Sequence, residues 1–169
     1  MCTFPTKESL TVEFKSDKKC LSDNDIIDVV VAFANTEGGD LYLGIEDDGT
    51  ITGLHPNHRD ITRLTAFIAN KTVPPVSTRA TIFHDGEYDV LKLSVPRYTS
   101  IVASASGKIQ RRRLKADHTP ENVPLYPYEI PQRLSNLSLL DFSAQPVPDS
   151  TRDDFSVTER ERLRHIIRT

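Results

Sequence analysis

At 169 residues, 37% hydrophobic and 27% charged, the chain has the size and polarity of one ordinary globular domain whose core needs neither disulfides nor a structural metal. Cys2 and Cys20 are the two cysteines, with no C-x-x-C pair, which excludes a disulfide framework and a four-ligand zinc site. The net charge of -3 disfavours an all-basic nucleic-acid sleeve, no stretch approaches the roughly 18 apolar residues of a membrane span, and Met1 to Pro5 lacks a secretory signal, so cytoplasmic residence without a membrane partner is expected.

Leu10, Val12 and Phe14 alternate with Thr11, Glu13 and Lys15, the period of a half-buried strand. Ser22 or Asp23 is placed to cap a helix from near Asn24 to about Asn35, with Ile26, Ile27, Val30 and Phe33 on its buried side. A Gly38-Gly39 break follows, then a strand through Leu41, Leu43 and Ile45, and an Asp48-Gly49 turn into a second strand, which predicts a β-hairpin. Ile61, Leu64, Ala66, Phe67 and Ile68 predict a second helix that stops before Val73-Pro74-Pro75. Strands are expected over 77–83 and 88–95 around an Asp85-Gly86 turn, another over 108–114, and a short helix over 126–134 interrupted or ended at Pro131.

These elements predict an α+β domain over 1–142, with packed helices on a mixed, mainly antiparallel sheet. Residues 143–157 carry prolines and acids and are expected to be a linker. A Thr158-x-x-Glu161 capping box then starts a terminal helix over 158–169 with Leu163, Ile166 and Ile167 on its apolar face. That helix either begins a further domain, such as a winged helix, or docks on its own domain or on a partner.

The run Glu8-Ser9-Leu10-Thr11-Val12-Glu13-Phe14-Lys15, followed by Phe33-Ala34-Asn35-Thr36-Glu37-Gly38-Gly39, resembles the signature of the Schlafen AlbA-2 domain family over about residues 7 to 140. The resemblance extends to an arginine-bearing strand before Pro127-Tyr128-Glu129-Ile130. It implies a domain that binds nucleic acid, RNA in preference to DNA, and that cleaves structured RNA such as tRNA in some members. In those members, three acids hold Mg²⁺ or Mn²⁺, and they fall here on Glu8, Glu13 and Asp47, which become the candidate catalytic and metal-holding residues. It also implies a cradle of two lobes, hence a homodimer here. The zinc cluster of vertebrate relatives cannot be built from Cys2 and Cys20.

Carboxylates around a divalent cation suit phosphodiester hydrolysis because they hold the metal, which activates water and offsets developing charge. Residues five apart in a flat strand face opposite ways, so Glu8 meets Glu13 only if the chain bends near Ser9. Structural roles stand beside this one: Glu13 and Lys15 share a strand face, and Asp47 precedes a turn. For phosphate contact the candidates are Lys15, Lys18 and Lys19 beside the acids, together with Lys108, Arg111, Arg112, Arg113 and Lys115. The competing reading pairs that second strip with Asp149, Asp153 and Asp154 or with an acidic face of the same protein. A non-catalytic DNA-binding or regulatory module of a transcription-regulator-like protein is the alternative function.

No phosphate-binding loop or dinucleotide fingerprint occurs, so neither ATP nor NAD is expected. The histidines show no Ser or Cys partner at a recognisable spacing, and His55 and His58 read as polar loop residues.

Overall fold

The computed structural model describes residues 4–141, 148–149 and 151–167. Strand β1 (Val12–Lys15), helix α1 (Asp23–Ala34) and strand β2 (Gly39–Leu43) form a β-α-β unit, in which Val12 to Lys15 run parallel to Asp40 to Leu43. A helix of that length carries the chain back to the sheet's starting edge, which is why the two strands can run parallel. Helix α2 (Ile61–Asn70) and the short β3 (Thr72–Val73) lead to β4 (Arg79–Asp85) and β5 (Tyr88–Val95). The central sheet has the order β1-β2-β5-β4, antiparallel after its first pair. Two smaller antiparallel pairs join β3 to β6 (Ala103–Ser104) and β7 (Gln110–Leu114) to β8 (Pro120–Pro124), and α3 (Ile130–Asn136) follows. The expected class, α+β with mainly antiparallel pairing, is what forms.

Alternation along β2 and β5 sends Leu41, Leu43, Leu91 and Leu93 to one face, where α1 packs Ile26, Val30 and Phe33 against them. Tyr42 and Val90 point the other way and join Phe14 and Ile45 under Phe4 and Ile51. Each such apolar side chain, when fully buried, contributes about 1.5–3 kcal/mol, so α1 and the sheet hold each other.

Ser22 caps α1 by accepting from Asp25 N at 3.2 Å. Gly38 ends the turn beyond the helix, with φ +75 and its N–H bonded to Phe33 O at 2.9 Å. A Cβ there would lie 2.7 Å from Arg97 N and from Val95 O. Gly38→Ala is therefore expected to cost at least about 1–2 kcal/mol from the left-handed backbone alone, with the overlap added. An unchanged denaturant midpoint would contradict this.

Several expected elements differ in form. The hairpin after Gly44 reduces to a single bridge between Ile45 and Ile51, because Gly44 O accepts from both Thr52 N and Gly53 N and pulls the return segment in. The β7 and β8 pairing was not visible in sequence, since β8 starts and ends on proline. Pro131 opens α3 rather than breaking it, in the first turn where its missing N–H is harmless.

The chain divides into two compact units, Met1–Leu139 and Leu140–Thr169. In the second, α4 (Val157–Ile167) is capped two residues earlier than expected: Glu159 N donates to Ser156 Oγ at 3.2 Å and Ser156 N to Glu159 Oε2 at 3.1 Å. Asp153 faces Arg160 at 3.8 Å within that unit. The expected linker over 143–157 lies partly outside the described residues. Among the described residues, no helix is long and apolar enough to cross a membrane.

Candidate functional site

Before β1 the chain folds back in a tight turn closed by Ser9 N to Val12 O at 3.0 Å and Val12 N to Ser9 O at 3.3 Å. This is the bend that the five-residue spacing required. It brings Glu8 alongside β1, where Glu8 Oε1 accepts from Phe14 N at 2.9 Å. Burial pushes the Glu8 carboxyl above its ordinary pKa; the Phe14 N–H and Lys15 oppose the shift, while the charges of Glu13 and Asp47 add to it. Glu8, Glu13, Lys15 and Asp47 thus share one electrostatic neighbourhood.

Their states differ. Glu13 lies inside, its side chain 9% exposed, with Oε1 at 2.6 Å from Lys15 Nζ and Oε2 at 2.6 Å from Arg112 Nη1. Asp47 is exposed in the loop after β2. Its neighbour Glu46, which the sequence did not single out, accepts from Thr52 Oγ1 at 2.6 Å and Ser16 Oγ at 2.8 Å and meets Lys18 Nζ at 3.4 Å. Those hydroxyls and Lys18 lower its pKa. Among the described residues, no three His, Cys, Asp or Glu side chains are grouped so as to hold a metal ion. A three-acid metal set therefore does not fit as arranged, because both Glu13 oxygens are taken.

Glu8 gives a pH test. Its folded pKa is raised, so its contribution to stability is fully present below the ordinary value of 4.5 and is lost as pH rises through the raised value. Glu8→Gln keeps an acceptor for Phe14 N and removes the charge. Its melting temperature is expected to gain on that of the parent as pH rises from below 4.5 toward neutrality. A constant difference would contradict the upward shift that burial, with the charges of Glu13 and Asp47, gives Glu8.

The basic strip is split by the period of β7. Arg112 points inward, its side chain 0% exposed, and binds Glu13, Asn122 Oδ1 at 3.0 Å, Leu10 O at 3.0 Å and Ser9 O at 2.8 Å. Its guanidinium carbon lies 4.7 Å from the centre of the Phe33 ring. This corrects the expectation of a phosphate contact at Arg112, which has no surface to offer. Arg111 meets Glu129 at 2.7 Å, Arg113 meets its cross-strand partner Glu121 at 2.7 Å, and Lys108 pairs with Asp28. Acids of the same unit thus neutralise most of this strip. Lys19 and Lys115 are exposed and form no ion pair among the described residues.

The Phe33-Ala34-Asn35-Thr36 run holds this arrangement together. Asn35 Nδ2 donates to Val102 O at 2.7 Å and Gln110 O at 2.9 Å, and Thr36 Oγ1 accepts from Arg112 N at 2.9 Å. Both halves of the sequence signature therefore converge on Arg112.

The structure also shows features that the sequence reading passed over. Tyr126 and Tyr128 are 51% and 79% exposed and stack with ring centres 5.9 Å apart and planes 6° apart. His58 is buried and bonded to Asp17, not a polar loop residue.

A family model described as Schlafen, AlbA_2 matches residues 8–120. Among solved structures, the DIP2311 protein of Corynebacterium diphtheriae is similar with a TM-score of 0.59 at 22% identity, covering 88% of this chain and 31% of that one. The N-terminal domain of an ATP-dependent DNA helicase RecG-related protein from Nitrosomonas europaea aligns with a TM-score of 0.38 at 24% identity, over 53% of this chain and 65% of that one. This chain therefore spans about a third of the first structure's length.

Proposed function

Because the chain belongs to the Schlafen AlbA_2 family, we propose that it is a nucleic-acid-binding domain that prefers structured RNA to DNA. The observation that carries this reading is the exposed pair Lys18 and Lys19, set after β1 at the end of the sheet where Glu46 and Asp47 lie. Lysine ammonium groups there supply point charges for phosphates and offset the carboxylates that would otherwise repel a polyanion. Tyr126 and Tyr128 add a flat surface on which an unpaired base of an RNA loop can stack. Two copies, each presenting this face, would form the cradle implied by the family.

Metal-dependent cleavage of RNA such as tRNA is the finer reading, and the like-charge crowding on Glu8 favours it, since a cation would relieve that crowding. Glu8, Glu13 and Asp47 would hold Mg²⁺ or Mn²⁺ only once Glu13 is released from Lys15 and Arg112, and the cation's chemistry would be to lower the pKa of bound water and neutralise charge on phosphorus. The test incubates a tRNA pool or duplex DNA with the protein in Mn²⁺ or EDTA, beside Glu8→Ala and Asp47→Ala. Metal-dependent RNA cuts lost in both variants are expected if the domain cleaves. Binding without cuts in any condition would reject the nuclease and leave the binding module.

A further inference from the structure

Beside the lysine pair lies a side-chain cluster that nucleic-acid binding does not use. Cys20 closes the turn after β1, its N–H bonded to Asp17 O at 3.1 Å and its φ +59, a left-handed conformation that non-glycine residues seldom take and that concentrates at functional sites. His58 ends the 3-10 turn Pro56–His58, is 5% exposed and brings Nε2 to 4.0 Å from Cys20 Sγ. Its Nδ1 lies 2.9 Å from both carboxylate oxygens of Asp17, which is fully buried. Asn57 Nδ2 donates toward the same sulfur at 3.7 Å.

The supporting shell is complete. Asp17 accepts from Leu21 N and His55 N, each at 2.8 Å. Burial pushes its carboxyl up, but the His58 contact and these two backbone bonds outweigh it and hold the pKa below the ordinary value. A carboxylate at Nδ1 selects the tautomer that leaves Nε2 free to accept a proton from sulfur. The thiol borders a cleft of about 430 Å³ shared with Ser22 at the start of α1 and with Arg63 and Phe67 of α2. Lys18, Lys19, Asp23, Asp25 and Arg63 are the charged side chains that line the two clefts meeting at Cys20.

We propose that Cys20, His58 and Asp17 form a nucleophilic thiol centre that takes an acyl group from an activated ester. The order carboxylate, imidazole, thiol is that of a base-activated cysteine, and contacts of this kind are often long without substrate. The Cys20 proton passes to His58 Nε2, the thiolate adds to the carbonyl carbon, and the carbon–oxygen bond to the leaving alcohol breaks as Nε2 returns the proton to it. Water then gives a proton to Nε2 and attacks the thioester; the carbon–sulfur bond breaks and sulfur regains the proton. The sum is ester plus water to acid plus alcohol. Asn57 Nδ2 is the side-chain donor placed for the oxyanion, and Arg63 on the cleft rim suits an acyl group that bears a carboxylate.

The probe is p-nitrophenyl acetate with the whole chain. A burst of nitrophenolate and an acetyl group mapped to Cys20, absent in Cys20→Ser and slowed at least about 100-fold in His58→Gln, is expected. Acetylation shared equally by Cys2 and Cys20, or none at all, would overturn the proposal. If His58→Gln fails to fold, alkylation of the parent by iodoacetamide at mildly acidic pH decides: Cys20 is expected to react at least about tenfold faster than glutathione, and an equal rate would overturn the centre.

Discussion

Arg112→Met is expected to destabilise the first unit by about 3–5 kcal/mol, the range for breaking a buried ion pair from one side. The substitution keeps much of the volume but leaves Glu13 buried with Lys15 alone, leaves the Leu10 carbonyl without its side-chain donor and leaves the Ser9 carbonyl with Val12 N only. At about 2–4 °C per kcal/mol for a chain of this size, the melting temperature should fall by roughly 10 °C. Glu13→Gln with Arg112→Met is expected to recover part of the loss, because the stranded charge is then gone. A single-variant midpoint within about 1 kcal/mol of the parent would mean that Arg112 is not the internal clamp, since such small changes are the norm for surface substitutions. One consequence bears on function: loss of binding or cleavage in a Glu13 or Arg112 variant has to be read beside its melting curve.

Lys18→Ala with Lys19→Ala is expected to weaken nucleic-acid binding at least about tenfold at low salt and to flatten its logarithmic salt slope by about 1.5–2, close to one counterion for each phosphate that a lysine no longer neutralises. Arg111→Ala with Arg113→Ala should flatten the slope less, because Glu129 and Glu121 hold both guanidinium groups at 2.7 Å, whereas in the lysine pair Lys18 alone has an acid partner, Glu46, at the longer distance of 3.4 Å. Measurement is by fluorescence anisotropy across a salt series. A larger effect from the arginine pair would place the phosphate face on β7 instead of at the end of β1.

The helix, its Gly38 stop and the two long antiparallel strands were legible because each has a local signal: a cap at Ser22, a left-handed glycine, and apolar alternation around a tight turn. The bend before Glu13 was legible too, as the condition that spacing places on two acids five residues apart. What could not be read were partners distant in sequence. Arg111, Arg112 and Arg113 are chemically identical in the sequence, and the register of β7 alone decides that the middle one is inside while its neighbours meet Glu129 and Glu121. The contact between Cys20 and His58 spans 38 residues and depends on how the turn at Pro56 packs against the end of β1. Glu46 was overlooked in favour of Asp47 because adjacent acids in a turn look alike until their hydroxyl partners, Ser16 and Thr52, are in place.

The most direct test of the nucleic-acid reading is the affinity of the unaltered protein for a tRNA pool, measured in EDTA from low to physiological salt. The prediction is saturable binding whose logarithm falls linearly with the logarithm of salt concentration, and which is stronger than binding to duplex DNA. No saturable binding to either nucleic acid at the lowest salt would contradict it.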